Sequence, residues 1–184
     1  MAVLIDSQTI DTSGTAGVFT GAGQSLYSGN FPSGLDSTYI LDSVVYKTVR
    51  GGSPTGNAYA KIYLASGVYG DNNIPSGAAL ATSDAIDVST ISTELQEITF
   101  SFSGSNRILL EDPYLVITIE FENPTTLNYI SFRSSGTNQH EGNYCTRSSG
   151  VWSPNSNKDL YFKLYGNLYG PTVGNKYPLP AFKK

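Results

Sequence analysis

The sequence predicts an all-β protein: an antiparallel β-sandwich of about eight or nine short strands, with jelly-roll wiring as the expected form. Three observations carry that prediction. Apolar residues alternate with polar ones at a period of two, while helical periodicity hardly appears. Turn-forming clusters recur between the alternating runs. Only 14% of residues are charged, well below the usual quarter, while the apolar fraction of 39% suffices for a core.

The strands are read in chain order. Short runs are expected at 24–28, 79–82 and 143–147. Residues 39–47 are β-branched and aromatic. In 57–64, Ala58, Ala60, Ile62 and Leu64 share one face, and Tyr59, Lys61 and Tyr63 the other. In 97–102, Ile98, Phe100 and Phe102 oppose Thr99 and Ser101. Residues 114–121 are almost continuously apolar, which predicts a central strand. In 127–133, Leu127, Tyr129 and Ser131 oppose Asn128, Ile130 and Phe132. In 159–165, Leu160, Phe162 and Leu164 oppose Tyr161, Lys163 and Tyr165. Gly51-Gly52-Ser53-Pro54, Gly70-Asp71-Asn72-Asn73, Ser103-Gly104-Ser105-Asn106 and Ser134-Ser135-Gly136 supply turns. The one helical hint is a single turn within 89–95.

The domain organisation follows: an N-terminal arm at 1–23, a sandwich domain at 24–166 and an extended C-terminal arm at 167–184. The C-terminal stretch spaces Tyr169, Tyr177, Leu179 and Phe182 by Pro and Gly. Proline lacks the amide donor a strand ladder needs, so this arm reads as near polyproline II. Its large apolar groups make it a subunit-docking device, or a tail packed on its own domain.

Composition also bounds function. A net charge of −4 and a pI near 4.8 argue against sequence-independent nucleic-acid binding. No apolar run reaches the length of a membrane-spanning helix. One cysteine, Cys145, cannot close an intrachain disulfide, and it reads as a small buried hydrophobe rather than a nucleophile. The Tyr-, Thr- and Gly-rich profile suits an extracellular surface. Yet Met1-Ala2-Val3-Leu4-Ile5-Asp6 has no basic n-region, and its apolar run stops at Asp6. A virion component, made in a host cytoplasm and released by lysis, reconciles the two, with an extracellular location as the alternative.

Two stretches could recognise a ligand. Tyr59/Lys61/Tyr63 and Tyr161/Lys163/Tyr165 each place three side chains on one strand face, about 7 Å apart. Rings in a row can stack on sugar faces, with hydroxyl and ammonium groups as hydrogen-bond partners. Equally, such residues pack across strands and stabilise a sheet. A combined platform requires both strands in one sheet. Trp152, expected in a loop, is either a ligand anchor or a plug over the sandwich end.

Catalysis is not expected. His140 has no neighbouring His or Cys for zinc, and no Gly-x-Ser-x-Gly elbow is present. Asp71-Asn72-Asn73 and Glu111-Asp112 offer oxygen ligands without calcium-loop spacing, so no metal or other cofactor is expected. Glu120 and Glu122 share a strand face at the spacing of a glycosidase pair, but nothing else supports that chemistry.

Four stretches carry a resemblance: Gly52-Ser53-Pro54-Thr55-Gly56-Asn57-Ala58-Tyr59-Ala60-Lys61-Ile62-Tyr63, Ile74-Pro75-Ser76-Gly77-Ala78-Ala79-Leu80-Ala81-Thr82-Ser83, Ile98-Thr99-Phe100-Ser101-Phe102 and Asp159-Leu160-Tyr161-Phe162-Lys163-Leu164-Tyr165-Gly166. They span about residues 38–166, and this region resembles a module of bacteriophage and metagenomic virion proteins and of choice-of-anchor-type bacterial surface proteins. The resemblance implies a β-sandwich used as a surface or adhesion module, with no catalytic motif to carry over. The expected function is a non-enzymatic virion structural protein, such as a head decoration, fibre or tail accessory subunit. It would meet copies of itself or other virion proteins. The alternative is a carbohydrate-binding module recognising cell-surface glycans.

Overall fold

The described residues form fourteen strands. They are β1 (Val3–Gln8), β2 (Ser13–Thr15), β3 (Gly21–Tyr27), β4 (Thr38–Gly51), β5 (Asn57–Ser66), β6 (Ile74–Thr82) and β7 (Ile86–Asp87). Then follow β8 (Gln96–Ser101), β9 (Tyr114–Phe121), β10 (Tyr129–Ser135), β11 (Tyr144–Ser148), β12 (Val151–Asn155), β13 (Asp159–Leu160) and β14 (Phe162–Tyr169). The computed structural model describes residues 1–15, 19–32 and 38–169.

The strands form two antiparallel sheets packed as a sandwich. The first sheet runs β1-β14-β4-β10-β13, with β8 on the far edge of β4 and β2 on β10. The second runs β12-β11-β3-β9-β5-β6, with β7 on β5. Alternation decides which side chains enter the core. Ala58, Ala60 and Ile62 of β5, Leu115, Ile117 and Ile119 of β9, and Val44 and Tyr46 of β4 meet Phe100, Phe132, Phe162 and Leu164 between the sheets. The near-continuous apolar β9 lies between β3 and β5, the central position its composition predicts. Its outward residues are Val116, Thr118 and Glu120, all nonetheless buried. Leu64, expected on the core face, is exposed although it pairs with the buried Leu115 of β9; it lies where the β5–β6 ladder shifts register.

Among the described residues, both arm boundaries shift. Residues 1–15 and 19–23 join the sandwich: β1 pairs with β14 from Val3↔Gly166 to Gln8↔Phe162, and Ile5 enters the core. Gly21 already belongs to β3, deep in the second sheet. The Val3-Leu4-Ile5 patch is too short to announce a strand, and its partner lies over 150 residues away in sequence. At the other end β14 runs past residue 166, pairing Leu168 with Tyr39 and Tyr169 with Thr38. Tyr169 is thus the last residue of a strand, whereas Tyr177, Leu179 and Phe182 lie outside the described residues. The helical hint at 89–95 resolves into one 3-10 turn, Val88–Thr90, where the Asp87 carboxylate accepts the Ser89 N–H at 2.9 Å. Among the described residues, no helix is long and apolar enough to cross a membrane.

Candidate functional site

The outer face of the second sheet carries the richest chemistry. Directly paired residues of antiparallel strands project to the same side. Trp152 pairs with Arg147, Arg147 with Gly21, Gly21 with Glu120 and Glu120 with Tyr59. One row therefore crosses five strands. Four spacings of about 4.8 Å separate Tyr59 from Trp152 at the backbone, roughly 19 Å. The adjacent row holds Pro154, Cys145, Gly23, Thr118 and Lys61.

Glycine in the middle strand lets the flanking side chains lean inward. A Cβ at Gly21 would lie 3.2 Å from both the Trp152 ring and Glu120 Cγ. One at Gly23 would lie 3.0 Å from Cys145 Sγ and 3.1 Å from Thr118 Cγ2. The strand's missing side chains thus bring together groups from β9, β11 and β12.

Glu120 is the hub. It is buried, and its carboxylate accepts four hydrogen bonds. Oε2 takes Lys61 Nζ at 3.0 Å and Arg147 Nη1 at 3.0 Å. Oε1 takes Tyr63 Oη–H at 2.6 Å and Thr118 Oγ1–H at 3.2 Å. Two cations balance the buried charge, as a desolvated carboxylate requires. Burial, then the bond to Glu120, pushes the Tyr63 hydroxyl well above its ordinary pKa, so it remains a donor. The Arg147 guanidinium also lies 6.0 Å from the Trp152 ring centre, a cation–π distance. Beside this hub opens a pocket of about 380 Å³ lined by Tyr59, Lys61, Thr82, Glu120, Glu122 and Arg147. That volume falls within the range of small-molecule sites.

The structure unites Tyr59, Lys61, Tyr63 and Trp152 and separates them from the second triplet. β14 belongs to the other sheet, so Tyr161, Lys163 and Tyr165 cannot extend the same platform. There Lys163 Nζ pairs with Glu97 at 2.7 Å, and Tyr161 Oη donates to the same carboxylate. Lys47 and Lys163 lie 5.5 and 6.0 Å from the Tyr161 ring centre. This is the cross-strand packing alternative. Trp152 is not in a loop: Ser149 and Gly150, at φ 50° and 82°, form a two-residue hairpin turn that starts β12.

Sequence reasoning missed Arg147, Gly21 and Thr118, and it considered Glu120 only as one of a carboxylate pair with Glu122, not as a buried hub. Two signals were legible. Gly21 and Gly23 alternate, removing side chains from one strand face. Ser149-Gly150 between two polar-aromatic runs is a hairpin signal that puts Trp152 and Arg147 on one face.

Several other chemistry-bearing groups are already engaged within the fold. His140 Nδ1 accepts the Gly142 N–H at 3.0 Å, and Nε2 lies 3.2 Å from both Asp6 carboxylate oxygens. Both ring nitrogens are engaged. Asp159, fully buried, accepts the N–H groups of Gln139 and His140 and pins their loop. Burial pushes the Cys145 thiol far up, away from the reactive thiolate. Asn72 Oδ1 caps the Val68 N–H at 2.6 Å, the turn chemistry of that segment. Among the described residues no three His, Cys, Asp or Glu side chains gather to hold a metal ion. Comparison with family models, with curated proteins and with solved structures returns no match.

Proposed function

We propose that this protein is a non-enzymatic glycan-binding module that acts through the outer face of the second sheet. The row Trp152, Arg147, Gly21, Glu120 and Tyr59 carries the reading. It sets aromatic rings at both ends of a cluster of fixed hydrogen-bonding groups, the combination that sugar faces and hydroxyls call for. The scaffold is inferred to be a jelly roll. In support, with β10–β13 and the short β2 and β7 set aside, the strands run β1-β14-β4-β8 in one sheet and β3-β9-β5-β6 in the other. Titration of an oligosaccharide panel by calorimetry tests the site. Saturable binding that falls at least tenfold in Tyr59→Ala and in Trp152→Ala is the expected result. Binding unchanged in both variants would place the ligand elsewhere.

A second reading, a structural subunit on a virion surface, rests on the resemblance of residues 38–166 and on one edge of the sandwich. β1 leaves one of its own edges unpaired among the described strands, and it exposes Val3 and Leu4 beside the exposed Leu168 of β14. An open, apolar strand edge suits pairing with another copy of this chain or with a neighbouring virion protein. Mass spectrometry with electron microscopy of gradient-purified particles tests it. Stoichiometric copies on particles support the reading, and a purely soluble pool rejects it.

A further inference from the structure

We propose that the Arg147–Lys61 pocket takes an anionic sugar, through a carboxylate or sulfate oxyanion, rather than a neutral one. The proposal rests on the glycan-binding reading and specifies its substrate class.

The argument is one of spare capacity. A carboxylate offers about four acceptor sites. Those of Glu120 are filled by Lys61, Arg147, Tyr63 and Thr118. Glu120 is therefore a positioning residue with nothing left for a ligand hydroxyl. The charged groups with unused capacity are donors. Lys61 spends one bond on Glu120, and an ammonium carries three hydrogens. Arg147 spends one bond on Nη1; among the described residues its Nε is buried without an acceptor, so the capacity open to a ligand lies on the terminal nitrogens. The planar guanidinium, bonded to Glu120 and 6.0 Å from the Trp152 ring centre, keeps its unused terminal N–H groups in one planar fork. That fork matches the paired oxygens of a carboxylate or sulfate.

Contact distance decides the sign, not the charge sum. Lys61 and Arg147 both pair with the buried Glu120, and with Glu122 in the lining the formal charges cancel. Glu122 lines the same pocket but is exposed. It follows directly after β9, on the solvent side of the pocket, where water and salt weaken its field. A contact pair with Arg147 at about 3 Å outweighs that repulsion. Tyr59, at the other end of the row, supplies the ring on which the sugar stacks.

The experiment uses the full chain and four probes: trigalacturonic acid, its methyl ester, neutral galactotriose and a sulfated galactotriose. Dissociation constants are measured for the native chain, Arg147→Lys and Arg147→Ala, with circular dichroism to verify folding. Lysine keeps the charge and removes the fork, so it preserves the hub if alanine does not. The expected result is binding of an acidic trisaccharide at least tenfold tighter than the ester or the neutral sugar, weakened at least fivefold by Arg147→Lys. Preference for the carboxylate or the sulfate probe tells which oxyanion the fork takes, and either meets the proposal. Equal affinity for acid and ester overturns it while leaving the glycan site standing. No binding of any probe overturns both.

Discussion

The chain contains the pattern Tyr-x-Lys-x-Tyr twice, and the two copies have opposite fates. Tyr59/Lys61/Tyr63 lies on β5, and its lysine and second tyrosine converge on the buried Glu120. Tyr161/Lys163/Tyr165 lies on the other sheet, and its first tyrosine and lysine converge on Glu97, whose side chain is 41% exposed. Both sets satisfy a carboxylate. The difference lies in what stands alongside. The β5 copy lies across β9 from β3, whose alternate glycines let Arg147 and Trp152 lean toward Glu120. The β14 copy is flanked by β1 and β4, where Lys163 pairs with Ser7 and Val45 rather than with glycines. The same five-residue pattern is therefore a binding surface or packing, depending on its neighbours.

The comparison breaks most visibly at the two carboxylates. Glu120→Ala strands two cations and two hydroxyls in a mostly buried hub. It is expected to lower unfolding free energy by about 2–4 kcal/mol in urea titration. Glu97→Ala disturbs a largely exposed pair, and its expected cost is under about 1 kcal/mol. Equal costs would mean that burial does not distinguish the two sites. Next is Gly23→Ala, whose new methyl would press on Cys145 Sγ, Thr118 Cγ2 and the Ile117 carbonyl oxygen. A loss of about 1–3 kcal/mol follows from overpacking, with reduced ligand affinity because the row above shifts.

Ring removal sharpens the functional half. Trp152→Ala is expected to lower glycan affinity at least tenfold, read by calorimetry, whereas Tyr165→Ala leaves it within twofold. If both variants bind alike, the second sheet has no privileged face.

The smallest effect is a pH dependence. The Lys163 and Tyr161 hydrogen bonds hold the Glu97 carboxyl below its ordinary value. A depressed carboxyl contributes stability above its unfolded-state pKa, and that stability disappears as pH falls through the folded value. Glu97→Gln should therefore flatten the loss of urea midpoint between roughly pH 5 and pH 3. Part of the slope survives in that variant. Asp11, which burial alone would raise, is held low by Lys47 and Arg133 and titrates in the same sense. An unchanged slope would show that the Glu97 cluster is not formed in solution.

Much of the fold was legible because period-two alternation is a local property. The apolar face of β5, the central place of β9 and the buried Leu160, Phe162 and Leu164 all follow from residue spacing. β1 and β12 were not legible, since Val3–Gln8 is a weak strand until β14 offers it an edge, and Trp152 reads as loop until the Ser149-Gly150 turn is recognised. Of the site, Tyr59, Lys61, Tyr63 and Trp152 could be named from residue type, whereas their convergence could not.

By itself the sequence determined the class of the protein, the inward and outward faces of most positions in its long strands, and that no disulfide can close within these 184 residues. Tertiary structure alone decided that Glu120 is a buried hub, that Arg147 and Trp152 join Tyr59, and that the two Tyr-x-Lys-x-Tyr copies part company. The physical reason is range. Side-chain alternation acts between neighbours along the chain, while strand order and register bring together residues 21, 59, 120, 147 and 152. Those pairings depend on loop closures and core packing that no local pattern encodes.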